Sequence, residues 1–279
     1  MEQFYHNYRI FLRVKNPAGN WIEFQQEQSV DYTETRFRVP FSDTPERNIA
    51  EFQLFNLSES SIQHIQKGCE AVLRVGYKEA TCVEIFRGEI LNVDPKAENG
   101  SDVVLRFTAA EGIDYFEKKE KSEKREGMTF GVNSSASTAL REIAANAGID
   151  LQIKTLKTDY VFRSGYTTSS DPRRSIEDIA KLCETPFYYD RGKLVVHDIK
   201  SSQNASIVIN RDTGLISQPS YKETNEEQRS WSVETLLLNN CFTGSKIELR
   251  SNNVSGTFFV KSGEHNYDGS RFISRLEVY

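Results

Sequence analysis

Apolar and polar positions alternate through most of the first 112 residues, with the period of two that a half-buried strand requires. Tyr8–Val14 is dense in β-formers and runs into the turn cluster Asn16-Pro17-Ala18-Gly19-Asn20, after which Trp21–Phe24 resumes the strand. The pattern predicts a hairpin. Val30–Val39 alternates loosely, with Tyr32, Phe37 and Val39 apolar and Pro40 placed to close it. Ala50–Leu57 alternates until Phe55, and Ser58 then stands as the cap of a short helix in which Ile62 and Ile65 share a face. Gly68 is placed to end that helix in the left-handed conformation. Cys69–Gly76, Cys82–Val93 and Val103–Ala109 are each of strand length and bounded by turn residues. Residues 1–112 therefore predict about seven strands and one short helix, a β barrel or sandwich.

The period then changes. Glu117–Glu126 reads EKKEKSEKRE, without an apolar residue, so 113–126 is expected to be a charged linker or a solvated helix. In 127–200, Asn133 or Ser134 can cap a helix carrying Leu140, Ile143, Ala144 and Ala147 on one face, stopped by Gly148. Asp171-Pro172 opens a second helix with the stripe Ile176, Ile179, Ala180 and Cys183, and Pro186 prevents its continuation. Phe187-Tyr188-Tyr189, the turn Asp190-Arg191-Gly192 and Lys193–Val196 predict a hairpin, so this section is a small α+β domain. Strand pattern returns in 201–279, at Ser206–Asn210, Trp231–Leu238, Lys246–Arg250, Gly256–Lys261 and Phe272–Tyr279, with the polar stretch Tyr221–Ser230 expected as an exposed loop. The fold class is mostly β: two β domains, 1–112 and 201–279, flanking an α+β insert at 127–200.

Composition narrows the function. Seventeen Phe and 12 Tyr supply real cores and exclude a disordered chain. The net charge of -5 removes the positive excess that a sequence-independent nucleic-acid binder needs. No uninterrupted apolar run reaches the roughly 18 residues of a membrane span, and the N-terminus MEQFYHNYRIFLRV has no secretory pattern. Cys69, Cys82, Cys183 and Cys241 are widely and irregularly spaced, which points to reduced, buried thiols rather than a zinc site or disulfide framework.

Candidate chemistry is absent at the level of motifs. His6, His64, His197 and His265 have no second ligand at metal spacing, with His6 and His197 on predicted strands, His64 on the helical turn and His265 before a turn. There is no nucleophile elbow, no phosphate loop and no dinucleotide fingerprint. Acid pairs such as Glu226-Glu227 sit in polar surroundings that would not tune a general acid. The sequence therefore assigns no catalytic, cofactor-binding or metal-binding residue.

The order of the elements carries a resemblance. Phe52–Ser58, then Ile62, Ile65 and Lys67-Gly68, then Val72–Tyr77 and Ile85-Phe86-Arg87-Gly88-Glu89-Ile90, resembles the N-terminal domain of phage tail baseplate hub proteins, the hubs of contractile and related long tails. Ser137–Leu151, Ile176–Val196 and the link Gly214-Leu215-Ile216-Ser217-Gln218-Pro219 resemble the later parts of that family, as do His265 and the ending Arg275-Leu276-Glu277-Val278. The resemblance implies two tail-tube-like β domains per chain and a homotrimeric ring. Such a ring would join the sixfold tail tube, or a distal tail protein, to a threefold spike or fibre, with DNA passing through the lumen without specific binding. It implies a structural protein of the virion, made in the host bacterial cytoplasm, with no cofactor and no catalytic residue to carry over. The chain stops after the last β section, so no fused lytic or needle domain is expected. Two other readings stay open: a receptor- or carbohydrate-binding tail module using Trp21–Phe24 or Phe187–Tyr189 to stack on sugars, and a hydrolase without a local signature.

Overall fold

The computed structural model describes residues 7–28, 33–78, 80–99, 101–115, 127–201, 205–224 and 228–279. His6, Val30, Tyr32, the charged run Glu117–Glu126 and the Glu226-Glu227 pair lie outside them. The first section holds β1 (Tyr8–Lys15), β2 (Trp21–Glu27), β3 (Thr35–Phe41), β4 (Ile49–Phe55), α1 (Glu59–His64), β5 (Glu70–Tyr77), β6 (Val83–Val93), β7 (Ala97–Asn99) and β8 (Asp102–Glu111). The insert holds β9 (Thr129–Phe130), β10 (Ser134–Ser135), α2 (Ala136–Ala147), β11 (Leu151–Thr155), β12 (Val161–Phe162), β13 (Tyr166–Thr167), α3 (Pro172–Leu182), β14 (Phe187–Asp190) and β15 (Lys193–His197). The last section holds β16 (Ile207–Ile209), β17 (Ser220–Thr224), β18 (Gln228–Leu236), β19 (Lys246–Arg250), β20 (Ser255–Tyr267) and β21 (Phe272–Val278).

One sheet runs through both β sections, in the order β17-β18-β21-β20-β3-β4-β8-β6-β5-β1-β2, with β7 beside β8 and the β16-β19 pair beside β20. The join is the antiparallel pairing of β20 with β3, Gly263 opposite Phe41 and Tyr267 opposite Phe37. At the far end the path bends back: Thr35 N donates to Gln26 Oε1 at 2.7 Å, which ties β2 to the start of β3. Alternating inward positions of the first section, among them Ile10, Leu12, Phe52, Leu54, Leu73, Phe86 and Phe107, form a core that continues into Val233, Leu249, Val260 and Leu276 of the last. Each such side chain contributes about 1.5–3 kcal/mol on burial.

The seam is also held by rings and charges. Tyr8 packs on Tyr267 and Phe272 at 4.8 and 5.1 Å between ring centroids, and Tyr77 meets Phe272 edge-on at 5.5 Å. On the wet face Arg38 reaches Glu51 at 3.2 Å and Glu264 at 2.7 Å, and Arg275 reaches the other oxygen of Glu264 at 2.7 Å. These ions stitch β4, β3, β20 and β21 in a row, although exposed pairs of this kind contribute little individually. His265 lies inside the seam, fully buried, with Nδ1 2.8 Å from Ser274 Oγ and its ring 4.9 Å from Phe41 and 5.3 Å from Phe242. Burial pushes its pKa down to about 3, so the imidazole is neutral.

Several expectations are corrected by pairing that connects distant residues. The described parts of the Tyr221–Ser230 stretch are strand rather than loop, because β17 and β18 pair antiparallel with Tyr221 opposite Trp231. Its polarity reflects an outermost position in the sheet, where Tyr221 stays exposed. β20 does not stop at Lys261 but continues to Tyr267, since β21 and β3 pair with it on its two sides. His265 is therefore mid-strand rather than ahead of a turn. Pro40 does not end β3: the ladder to β4 runs out at Arg38–Glu51, so a residue without N–H breaks no pairing on that side. The helix α1 is capped by Ser58 as expected but ends at Ile65, and Gly68 takes its positive φ of 85° three residues later.

In the insert, the cap of α2 is Ser135, whose Oγ accepts from Thr138 N at 3.3 Å, and not Asn133 or Ser134. Ser134 and Ser135 are held extended against Phe162 and Val161, which leaves the second hydroxyl at the helix start. The rest of the reading holds: Leu140, Ile143, Ala144 and Ala147 are buried, Gly148 is left-handed, and Asp171 caps α3 ahead of Pro172. β11 adds a parallel strand beside β15.

Two stability measurements test this architecture. Leu140→Ala empties a fully buried site and is expected to cost about 2–5 kcal/mol, whereas Glu142→Ala on the exposed face of α2 should cost about 0.5 kcal/mol or less in the same melts. A Cβ on Gly263 would lie 2.5 Å from Arg275 O and 2.7 Å from the Phe41 ring. Gly263→Val is therefore expected to cost at least about 2–3 kcal/mol and to weaken amide protection in β3 and β20 more than in the insert.

Candidate functional site

The hairpin β14–β15 is the part of the chain that touches everything else. Its strands read FYYD and KLVVH, nearly continuous in apolar residues, as strands covered on both faces do. Phe187, Tyr189, Leu194 and Val196 face the core of the insert with α2 and α3. The alternate residues Tyr188 and Val195 pack with Ile199 and, on the last β section, with Phe259 and Tyr279. Both stretches proposed for sugar stacking are thus partly or wholly spent on packing: Phe187–Tyr189 is buried, and Phe24 too, while Trp21 remains 39% exposed beneath Arg13, 4.6 Å away.

The turn of this hairpin docks on the first β section. Arg191 and Gly192 both take positive φ, 51° and 84°, and the tight turn carries Gly192 N to 3.1 Å from Glu111 Oε1. Asn48 Nδ2 donates to the other carboxylate oxygen at 2.7 Å. Arg47 clamps the end of β8, donating to the carbonyls of Glu111, Ala110 and Gly112 at 2.9, 3.1 and 2.8 Å. Tyr189 OH donates to Ile113 O at 3.1 Å, so the joint spans both sides of the crossing chain.

The other side of the hairpin docks on the last section. Tyr188 OH lies 2.9 Å from His197 Nδ1 and 3.4 Å from Thr243 O. The Arg191 guanidinium sits 4.5 Å from the centre of the Phe242 ring. Asp190 accepts from Arg191 Nε at 2.9 Å and from Lys154 Nζ at 2.6 Å. Burial alone would raise the Asp190 carboxyl, but Arg191 and Lys154 outweigh it and hold it below the usual carboxylate range.

Of the residues singled out by sequence, His64 is a half-buried helix residue bonded to Ser60 O, and His197 and His265 are hydrogen-bonded inside the protein at separate places. The four cysteines are free, with Cys82 half-buried and the other three buried. No group of three or more His, Cys, Asp or Glu suited to a metal occurs among the described residues. Glu111, Asn48, Arg47 and Lys154 carry the junction with Asp190 and had no sequence signal, since Asn48 and Glu111 meet across 63 positions and Glu111 and Gly192 across 81; Asp190 is marked only as a turn residue.

Burial is the main reason that the Glu111 pKa stands up at about 7, against 4.5 for a free glutamate; the bonds from Asn48 and Gly192 pull it down, and Asp190 pushes it up. A carboxyl raised on folding contributes stability that is complete below about pH 4.5 and is lost as pH rises through about 7. Relative to Glu111→Gln, which does not titrate, the natural protein is expected to lose about 3 kcal/mol between those limits. Denaturant melts of both proteins across this range check it, and parallel curves would contradict it.

The family model for Baseplate hub gp41 matches residues 43–268, which takes in most of the first β section, the whole insert and most of the last section. No curated protein matches the chain. Among solved structures, the fold is similar to the 43 kDa tail protein of prophage MuSo2 from Shewanella oneidensis, at 9% identity and a TM-score of 0.66 over 98% of each chain. A tail protein from Neisseria meningitidis MC58 is similar at 8% identity and 0.64, over 96% of each chain. An Escherichia coli component of the type VI secretion system, described as structurally similar to the T4 tail proteins gp27 and gp5, follows at 9% and 0.56, covering 90% of this chain and 75% of its own. With the family model covering the insert, its junction and β20, the chain belongs to the baseplate hub gp41 family and has a structural role in the phage tail baseplate.

Proposed function

We propose that three copies of this chain close a ring in the tail baseplate, with the sixfold tail tube or a distal tail protein on one side and a threefold spike or fibre on the other. The observation that carries this reading is the β3–β20 seam, which sets the two β sections side by side in one sheet. Each section is read as one tube-like unit, so a chain supplies two adjacent positions and three chains supply the six that match a sixfold tube. The path also ends in β2 and β17, each paired on one side only among the described residues. β2 is tied back to β3 through Gln26 and Thr35, so the outer strand β17 is the edge that suits a head-to-tail contact, of the kind that closes into rings when the rotation permits. The mild acidity of the chain, -5 overall, suits a lumen through which DNA slides without being held. The place of action is the virion tail, and the role requires no cofactor and no catalytic group.

Copy number and symmetry in the assembled tail test the proposal, because obligate subunits are poorly stable apart. Three copies are expected, with the two β sections alternating at roughly 60° steps and neighbours burying on the order of 2,000 Å² or more. Six equivalent copies would make it a tube or sheath-side component, and a location confined to outer fibres would favour receptor binding. The purified chain is also expected to leave peptidoglycan intact. Clearing that persists after contaminating lysozymes are removed would overturn the structural reading.

A further inference from the structure

A groove of about 550 Å³ lies where the insert meets the last β section, lined by Lys154, Asp190, Arg191 and His197 on one side and by residues such as Asn240 and Thr243 on the other. Its volume is within the usual range for a site that holds a ligand group. Its charges do not cancel. Two cations share the single carboxylate of Asp190, whose side chain is only 7% exposed, while Lys154 and Arg191 keep 36% and 40% of theirs open. Lysine has three donors and arginine five, so both have hydrogens to spare after Asp190 is satisfied.

His197 also lines the groove. It is buried to nine-tenths, and its Nδ1 shares a hydrogen bond with the Tyr188 hydroxyl at 2.9 Å. The same hydroxyl donates to Thr243 O at 3.4 Å, which fixes the ring at the groove wall. Burial and the neighbouring Lys154 lower the imidazole's pKa and favour its neutral form, so the ring adds no charge of its own. The groove is thus rich in donors and carries one net positive charge, the complement of a carboxylate.

We propose that this groove receives an Asp or Glu side chain from an adjacent copy of the chain, locking insert and last β section together as the ring assembles. A carboxylate is what another copy has in excess: 40 acidic against 35 basic residues, so the groove is a basic spot on an acidic molecule. Charge complementarity of this kind selects orientation and register at an interface. The inference rests on the ring reading given above, and its test separates the two.

Rings assembled from mixed 14N- and 15N-labelled chains would be treated with a carbodiimide, which joins an amine to a carboxylate already in contact, and the products mapped by mass spectrometry. The expected result is a link from Lys154 to an Asp or Glu peptide carrying the other isotope, absent from dispersed chains, where Lys154 joins Asp190 alone. The Lys154→Gln protein should lose both links while other links between copies persist. Mixed-isotope links elsewhere, with Lys154 joined only to Asp190, would overturn the groove assignment and leave the ring intact. A Lys154 link to a different tail protein would overturn the choice of occupant. Absence of every link between copies in rings of three would overturn this inference alone, whereas a copy number other than three would overturn the ring and this inference with it.

Discussion

The antiparallel pairing of β3 with β20 is the contact on which the rest depends. Arg38 and Glu264, ion-paired across it, lie 226 positions apart, so this ladder joins nearly the two ends of the chain. Such a contact bears a large loop-closure cost, and the surroundings offset it. Aromatic rings from β1, β3 and β5 meet those of β20 and β21, and a glycine at 263 lets Phe41 and the Arg275 carbonyl close on the strand. The neutral, buried His265 fits the same logic: it sits among rings and a hydroxyl, where a charge would be costly. Once the seam forms, two β sections that are separate in sequence share one sheet and one core.

The insert is fastened to that sheet by a hairpin with two working faces. Alternate residues of β14 and β15 serve the insert core and the last β section, while the turn reaches Glu111 on the first. Apolar packing on the strands is combined with polar bonds at the turn, and the polar side is the more conditional. A buried carboxyl with its pKa near neutrality makes that joint sensitive to pH, whereas Asp190, paired with two cations, stays ionised. The two acids lie close enough to influence one another and have opposite fates, decided by how many cations each has at hand.

Family membership places these features in a tail baseplate, where a protein acts by shape and contact. The features described above are of that kind: a seam between two β sections and a polar joint that fastens the insert to them.

Local rules of the sequence determined the local elements. Ser58, Asp171 and Gly148 marked helix ends because capping and the left-handed turn are decided within a few residues. The stripe of α2 and the hairpin at Arg191-Gly192 were legible for the same reason, and so was the resemblance carried by the order of elements. Tertiary structure alone decided that β17 pairs with β18 at the sheet's end, that β20 runs on through polar residues to Tyr267, and that His265 is buried. It alone brought Glu111 to Gly192 and Tyr188 to the Thr243 carbonyl. A strand's polarity reports how many of its faces are covered, and a carboxylate's behaviour reports which charges surround it. Both are set by neighbours distant in the chain, and no window of sequence contains them.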